Sequence, residues 1–221
     1  MAASPVTIDV ISDVVCPWCF IGKRRLEAAL ASVAAQGAAC EFTVRWHPFE
    51  LNPDLPPTGI DRREYVAAKF GGAERAAQIY ERVRAAGASA GIAFAFERIA
   101  RQPNTRDAHR LVAWAQARGD AEPLVERLFV AYFQDGRNPG DRDVLAAIAG
   151  EAGLDAAAAR AMLETDEGGG AVEASERRAH DIGIGGVPFF IFDGRLAVSG
   201  AQEPQVLAQA IAQAAKAAAA A

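Results

Sequence analysis

The segment Cys16-Pro17-Trp18-Cys19 lies between a strand-like run and a helical run, and this position constrains the fold more than any other feature. Residues 6–12 before it are rich in β-branched side chains, and residues 20–36 after it carry apolar side chains at helical spacing. Backbone N–H groups at a helix N-terminus lack intrahelical partners, and the helix dipole favours negative charge there. A thiol at such a place ionises more easily, and the thiolate is the nucleophile. The sequence therefore predicts that Cys16 is a reactive cysteine.

The spacing of Cys16 and Cys19 favours a redox pair. Two cysteines so placed at the head of a helix can close a small disulfide, which a second thiol opens readily. The alternative is half of a zinc site. That site needs a further pair of ligands, and the sequence contains neither a second C-x-x-C motif nor two histidines at zinc-finger spacing.

Composition limits the function classes. The chain of 221 residues is 51% hydrophobic, which allows one domain, with or without an insertion, to bury a core. The net charge of −5 is spread along the chain, so we expect neither nucleic acid nor a membrane as a partner. No run approaches the roughly 18 apolar residues of a membrane-spanning helix.

We expect a cytoplasmic location because residues 1–5 show no basic region followed by an apolar stretch. Thiols are mostly reduced in the cytosol, where a C-x-x-C motif is more often catalytic than structural.

Strand signals occur at both ends of the chain and helical signals between them. After the first helix, residues 42–46 alternate apolar and polar side chains, which predicts a second strand and a right-handed parallel β-α-β unit. Residues 187–192 and 195–198 predict two strands joined by a tight turn at Asp193-Gly194, followed by a last helix.

The predicted fold class is therefore α/β, with a thioredoxin-like mixed four-stranded sheet and a large α-helical insertion. Residues 1–60 would form the first part of the thioredoxin-like domain, residues 61–183 the helical insertion, and residues 184–221 the second part. Asp61, Asp141 and Asp155 are the predicted caps of helices within the insertion.

Val187-Pro188 is the second informative motif. A proline at the head of a strand removes a hydrogen-bond donor from the sheet, and a cis peptide bond would explain its presence as a tight entry bend. The alternative is an ordinary trans proline at the start of the strand. If the bend lies beside Cys16, the backbone of Val187 could pair with an extended peptide or a thiol ligand.

Several polar residues and a third cysteine have two interpretations each. Asp13 could accept the proton of Cys19 or could cap the helix. His47, at the end of the second strand, could shuttle protons or could simply be hydrogen-bonded. Cys40 could be a buried apolar residue or an accessory thiol. Asn104 and His109 open a helix of the insertion, where they could contact substrate or serve in capping and packing.

The whole pattern resembles the DsbA-like oxidoreductases, and most closely their FrnE-like cytosolic branch. The resemblance implies a thioredoxin-like fold, thiol–disulfide exchange, Cys16 as nucleophile, Cys19 as resolving cysteine and Pro188 in cis. We expect no permanently bound cofactor, with glutathione as an optional co-substrate. The matching segments are residues 12–23, 48–53, 103–105 with Ala108-His109, 186–190 and 198–202.

Two departures from the resembled families concern redox tuning. Pro17-Trp18 replaces the Pro-His dipeptide of the periplasmic relatives, and a neutral indole offers the thiolate neither the charge nor the hydrogen bonds of an imidazole. We therefore expect a less oxidising protein. Thioredoxin-type enzymes often bury an acid six residues before the first cysteine, where this chain has Val10, so Asp13 is the nearest acid in sequence.

Two rival functions remain open. The insertion pattern also resembles kappa-class glutathione transferases and 2-hydroxychromene-2-carboxylate isomerases, which carry serine at the place of Cys16 and hold glutathione. In that case the backbone N–H groups of Gly200, Ala201 and Gln202 could bind a carboxylate. The second rival is a non-enzymatic, redox-responsive binding protein. In the main interpretation, the partner is a protein or small molecule that carries a thiol or disulfide.

Overall fold

The protein is described by a computed structural model over residues 5–36 and 41–219. Four strands form one mixed sheet in the order β2-β1-β5-β6, as expected for the predicted fold class. In chain order the elements are β1 (Val6–Ser12), α1 (Pro17–Ala35), β2 (Phe42–Pro48), β3 (Ile60–Asp61), α2 (Arg62–Phe70), α3 (Ala73–Ser89), a 3₁₀ turn (Phe96–Arg98), β4 (Arg101–Gln102), α4 (Arg106–Gln116), α5 (Glu122–Phe133), α6 (Arg142–Glu151), α7 (Ala156–Leu163), α8 (Gly169–Asp181), β5 (Phe189–Phe192), β6 (Leu196–Ser199) and α9 (Pro204–Ala219).

Strand β1 is central and carries the sheet. It pairs in parallel with β2 and antiparallel with β5, and β5 pairs antiparallel with β6. Val6, Ile8 and Val10 are buried, while Thr7 and Asp9 between them are half-buried, so the strand places its apolar side chains on the core face. The prediction of a mixed four-stranded sheet built from both ends of the chain is confirmed.

Helix α1 follows β1 directly and begins at Pro17. Proline suits the first helical position because its missing N–H would have no intrahelical partner there. The helix ends at Ala35, and Cys40, the third cysteine, lies outside the described residues. Helix α1 thus places Cys16 at its N-cap and Cys19 in its first turn.

An aromatic cluster fastens the helical insertion to α1. The ring of Phe20 stacks on Phe129 of α5 with centroids 5.1 Å apart, and Phe94 meets Phe20 edge-on at 6.1 Å. Phe94 and Phe96 also stack at 4.9 Å. Residues 92–95 have no regular secondary structure, and Phe94 and Phe96 both reach the core.

Lys23 is a charged residue buried inside this contact. Its residue surface is 2% exposed, and its ammonium group lies 2.6 Å from Glu122 and 2.8 Å from Glu126 of α5. The Glu27 carboxylate lies 2.5 Å from the same ammonium group. The Trp46 indole donates to Glu122, so β2 joins the same network.

The helix boundaries differ little from those predicted. The side chains of Asp61, Asp141 and Asp155 cap their helices by accepting hydrogen bonds from backbone N–H groups, as expected. Strand β5 begins at Phe189 instead of Val187, because Pro188 has no N–H to pair. A short pairing of β3 with β4 was not predicted, since two-residue strands carry no periodic signal.

Candidate active site at the strand-to-helix junction

The backbone around Cys16 forms a tight turn into the helix. Cys16 has an extended conformation (φ −91°, ψ 113°), and its N–H donates to the Asp13 carbonyl at 3.0 Å. Its own carbonyl accepts from the N–H groups of Cys19 and Phe20 at 3.0 and 3.3 Å. Both Cys16 and Cys19 are free thiols.

The two sulfur-bearing residues differ in accessibility. Cys16 retains 5% of its surface and Cys19 retains 1%, whereas Trp18 between them is 40% exposed. Both cysteines are buried, and Cys16 is the more exposed of the two. The roles of nucleophile and resolving cysteine stay predictions.

The second sequence motif lies directly against Cys16. The Cys16 thiol donates to the Val187 carbonyl at 3.7 Å, although the two residues are 171 positions apart. The Val187–Pro188 peptide bond is cis. The Pro188 carbonyl accepts from the Gly200 N–H at 2.8 Å, which ties this bend to the end of β6.

Gly22 permits the close approach of the two motifs. A Cβ atom on Gly22 would lie 2.9 Å from the Pro188 Cγ and 3.1 Å from the Phe190 Cζ, closer than packed carbon atoms tolerate. The segment from residue 12 to 23 carried the family resemblance, yet no role was assigned to this glycine. A glycine one turn after the second cysteine, on the face toward the sheet, was the available signal.

Burial raises the pKa of the Cys19 thiol well above its usual value, and the neighbouring Cys16 sulfur raises it further. The backbone of Asp13 and the Ser12 hydroxyl hydrogen-bond the Cys19 sulfur and oppose that rise. Cys19 is therefore held mainly as a thiol.

The Asp13 carboxylate is fully buried behind the cysteines. It accepts hydrogen bonds from the backbone N–H groups of Leu51 at 2.8 Å and Val15 at 3.4 Å. The interpretation that it caps α1 is wrong, because Cys16 is the N-cap residue and no side chain caps that helix. The interpretation that it takes part in proton transfer stays a prediction.

His109 comes from α4 to meet Asp13. It is 4% exposed, and its Nε2 atom lies 3.4 Å from the Asp13 carboxylate. Glu50 is a further buried acid in this region, and its backbone N–H donates to Glu176 at 2.8 Å. Burial, together with the negative charges of Glu176 and Asp13, raises the pKa of Glu50 to about 7, while His109 and Arg106 oppose the rise.

Comparison with known proteins decides the family. The family model described as a DSBA-like thioredoxin domain matches residues 7–212. The chain belongs to this family. A probable DsbA oxidoreductase from Streptomyces coelicolor is 34% identical, with a TM-score of 0.82 over 95% of this chain and 89% of that one. The uncharacterised protein YwbO from Bacillus subtilis is 30% identical over 93% of this chain and 96% of its own length. A structure of the cytosolic disulfide reductase DsbM from Pseudomonas aeruginosa with GSH shares the fold, at 20% identity and a TM-score of 0.62, over 94% of this chain and 98% of that one.

Three other predicted residues of this DSBA-like chain have structural partners. Asn104 accepts from the Arg106 N–H at 2.9 Å and donates to the Leu55 carbonyl at 2.9 Å, so it fixes the turn that leads into α4 and anchors a loop, whereas Thr105 is the N-cap residue. The His47 ring bonds Asp9 at 2.7 Å. The Gln202 N–H, expected to be free for a carboxylate, donates instead to the Gly200 carbonyl at 2.9 Å, so that expectation is wrong.

Neither a metal cluster nor a membrane span was found in the described part of the DSBA-like chain. Over residues 5–36 and 41–219, groups of three or more His, Cys, Asp or Glu side chains placed to hold a metal ion are absent. No helix within the same residues has both the length and the apolar character to cross a bilayer.

Proposed function

We propose that this chain is a thiol–disulfide oxidoreductase of the reductase or isomerase type that works through Cys16 and Cys19. The contact between the Cys16 sulfur and the Val187 carbonyl carries the proposal. It brings the helix N-terminus and the prolyl bend together around one sulfur that is more accessible than its partner. Membership of the DSBA-like thioredoxin family supports it.

The proposed exchange proceeds in two displacements. The Cys16 thiolate, stabilised by the N-terminus of α1, attacks a substrate disulfide, and the first substrate sulfur leaves as a thiolate. The Cys19 thiolate then attacks the Cys16 sulfur of the mixed disulfide, which releases the second substrate thiolate and leaves Cys16 and Cys19 joined. The substrate gains two electrons and the protein loses them. Two molecules of a thiol, such as glutathione, would return the dithiol.

The direction of exchange is part of the proposal. The exposed Trp18 indole carries no charge to stabilise a thiolate at Cys16, which favours a less oxidising protein than relatives with histidine there. A reductase or isomerase of the FrnE-like branch, acting in the cytosol with glutathione as co-substrate, fits that chemistry. The shared fold with a cytosolic reductase crystallised with GSH supports this choice.

The test uses single-cysteine variants in a Cys40→Ser background, so that every adduct is assigned to Cys16 or Cys19. Cys16→Ser should abolish reduction of a protein disulfide by glutathione. Cys19→Ser should accumulate a mixed disulfide on Cys16, which mass spectrometry of the intact protein detects. Normal turnover by Cys16→Ser would disprove the proposal.

The same variants distinguish the proposed oxidoreductase from the two rival functions. Isomerisation of a glutathione-dependent substrate that survives Cys19→Ser would favour the glutathione-dependent isomerase. Stoichiometric client binding that changes on reduction, without turnover, would favour the redox-responsive binding protein.

A further inference from the structure

Cys19 needs a route for its proton. Its sulfur must become a thiolate to resolve the mixed disulfide, yet its residue surface is 1% exposed and bulk water does not reach it. Val10, at the place where thioredoxin-type enzymes often bury an acid, is a buried apolar residue here. The proton must therefore leave through other groups around the sulfur.

Ser12 is the first of these groups. Its hydroxyl acts on the Cys19 thiol and opposes the rise in the pKa of that thiol, and the residue is itself buried at the end of β1, where it lines a small cavity. A hydroxyl both donates and accepts, so it can receive a proton on one side while passing one on from the other.

His109 has a buried nitrogen that the rest of the structure does not use. Its Nε2 atom forms no hydrogen bond with any described residue, although Asp13 Oδ1 is 3.4 Å away. A buried polar atom without a partner is costly, so its presence calls for an explanation. A neutral imidazole nitrogen accepts a proton, and the adjacent carboxylate of Asp13 stabilises the imidazolium that results.

A small cavity is lined by both Ser12 and His109. It is lined by Ser12, His47 and His109 as polar residues, with Val14, Trp46 and Val125 among the apolar ones, and its volume is about 20 Å³. One water molecule needs about 10–15 Å³ and two to four polar partners, and this cavity meets both conditions.

We propose that the buried pair of His109 and Asp13 takes up the proton of Cys19 during resolution, through Ser12 and one water molecule in this cavity. The proposal rests on the proposed function, since it concerns the second displacement. The Cys19 S–H bond breaks, its proton passes to His109 Nε2, and the thiolate forms the bond to Cys16. The bond between Cys16 and the substrate sulfur breaks at the same time. In the reverse reaction His109 returns the proton to Cys19.

The ionisable groups around His109 come from five parts of the chain. Asp13 lies in the turn before α1, His47 lines the same cavity from β2, and Glu50 follows β2. Arg106 on α4 and Glu176 on α8 act on Glu50. A pH profile of the second displacement reports on this whole group, so the test compares variants as well as pH values.

The experiment separates the two displacements with an aromatic disulfide whose released thiolate absorbs visible light. In a Cys40→Ser background, attack by Cys16 releases the first equivalent and attack by Cys19 releases the second. His109→Gln should slow the second release at least about tenfold near neutral pH and move its pH midpoint upward, with the first release unchanged. Ser12→Ala should slow the same step.

His180→Gln is the matched control, because that histidine is exposed, and it should change neither phase. An unchanged second phase in His109→Gln, equal slowing of both phases, or slowing by His47→Gln instead would overturn the proposal. Absence of the first release in the parent protein would count against the proposed function itself.

Ser12→Ala covers the case in which His109→Gln does not fold. It should slow the second release and leave the first unchanged. An unchanged second release in Ser12→Ala would overturn the proposal.

Discussion

At the scale of single residues, the site depends on unequal environments for chemically identical groups. Cys16 and Cys19 are three residues apart, yet the first is the more exposed and the second is enclosed by Ser12 and Asp13. The enclosed thiol has the raised pKa, so it stays protonated until the mixed disulfide forms. Under the proposed function, the order of the two attacks follows from this difference in burial.

Glu50 gives a pH-dependent prediction at this scale. Its carboxyl has a pKa of about 7 in the folded protein against an ordinary value of 4.5, so the folded state binds this proton more tightly than the unfolded state. Its contribution to stability is therefore fully present below about pH 4.5 and is lost as the pH rises to about 7. Raising the pH from about 5 to about 8 should therefore lower the free energy of unfolding less for Glu50→Gln than for the parent protein.

Urea unfolding at both pH values measures this difference, with Glu81→Gln, on an exposed face of α3, as control. Parallel pH dependence of the parent and Glu50→Gln would contradict the prediction.

At the scale of elements, the sequence predicted what is encoded locally and failed where contacts join distant segments. The Asp61, Asp141 and Asp155 caps, the strand before Cys16 and the bend at Pro188 all have short-range signals, and all were predicted. Gly22 has only the weak signal of its place one turn after Cys19, and Lys23 has none. Pro188 leaves no room for a side chain at residue 22, and Glu122 and Glu126 pair with the positive charge of Lys23. Only the fold brings these partners together.

Gly22→Ala tests the contact between α1 and β5. The added methyl group meets the ring of Pro188 at 2.9 Å, so we expect a loss of about 1–3 kcal/mol in the free energy of unfolding and slower exchange at Cys16. Gly170→Ala is the matched control, because a Cβ atom there meets no atom within 4 Å. In a helix that change should be neutral or stabilising, by up to about 1 kcal/mol. Equal stability of the two variants would contradict the close packing.

At the scale of the whole molecule, the helical insertion and the sheet domain are joined behind the site. The stacked rings of Phe20 and Phe129 and the ion pairs of Lys23 connect α1 to α5, while hydrogen bonds of Trp46 connect β2 to Gln116 and Glu122. The same helix that carries both cysteines therefore holds the insertion in place. This joint supports His109 on α4 in its position beside Asp13.

Lys23→Met tests this joint. Removing the ammonium group leaves Glu122 and Glu126 without their shared partner in a partly exposed place, where Arg24 still pairs with Glu126, so we expect a loss of about 1–3 kcal/mol in unfolding free energy. Arg137→Met removes a partner of Glu151 at the surface, and should cost no more than about 1 kcal/mol. Urea unfolding measures both. A Lys23→Met protein as stable as Arg137→Met would show that the insertion is held by its apolar contacts alone.

The central claim is that Cys16 and Cys19 form one reversible disulfide. The direct measurement equilibrates the reduced protein with glutathione buffers of increasing oxidation and quantifies each cysteine by differential alkylation and mass spectrometry. The account predicts a single two-electron transition in which both cysteines oxidise together, with Cys19 remaining a free thiol throughout in Cys16→Ser. Oxidation of Cys16 without Cys19, or no transition in any buffer, would contradict it.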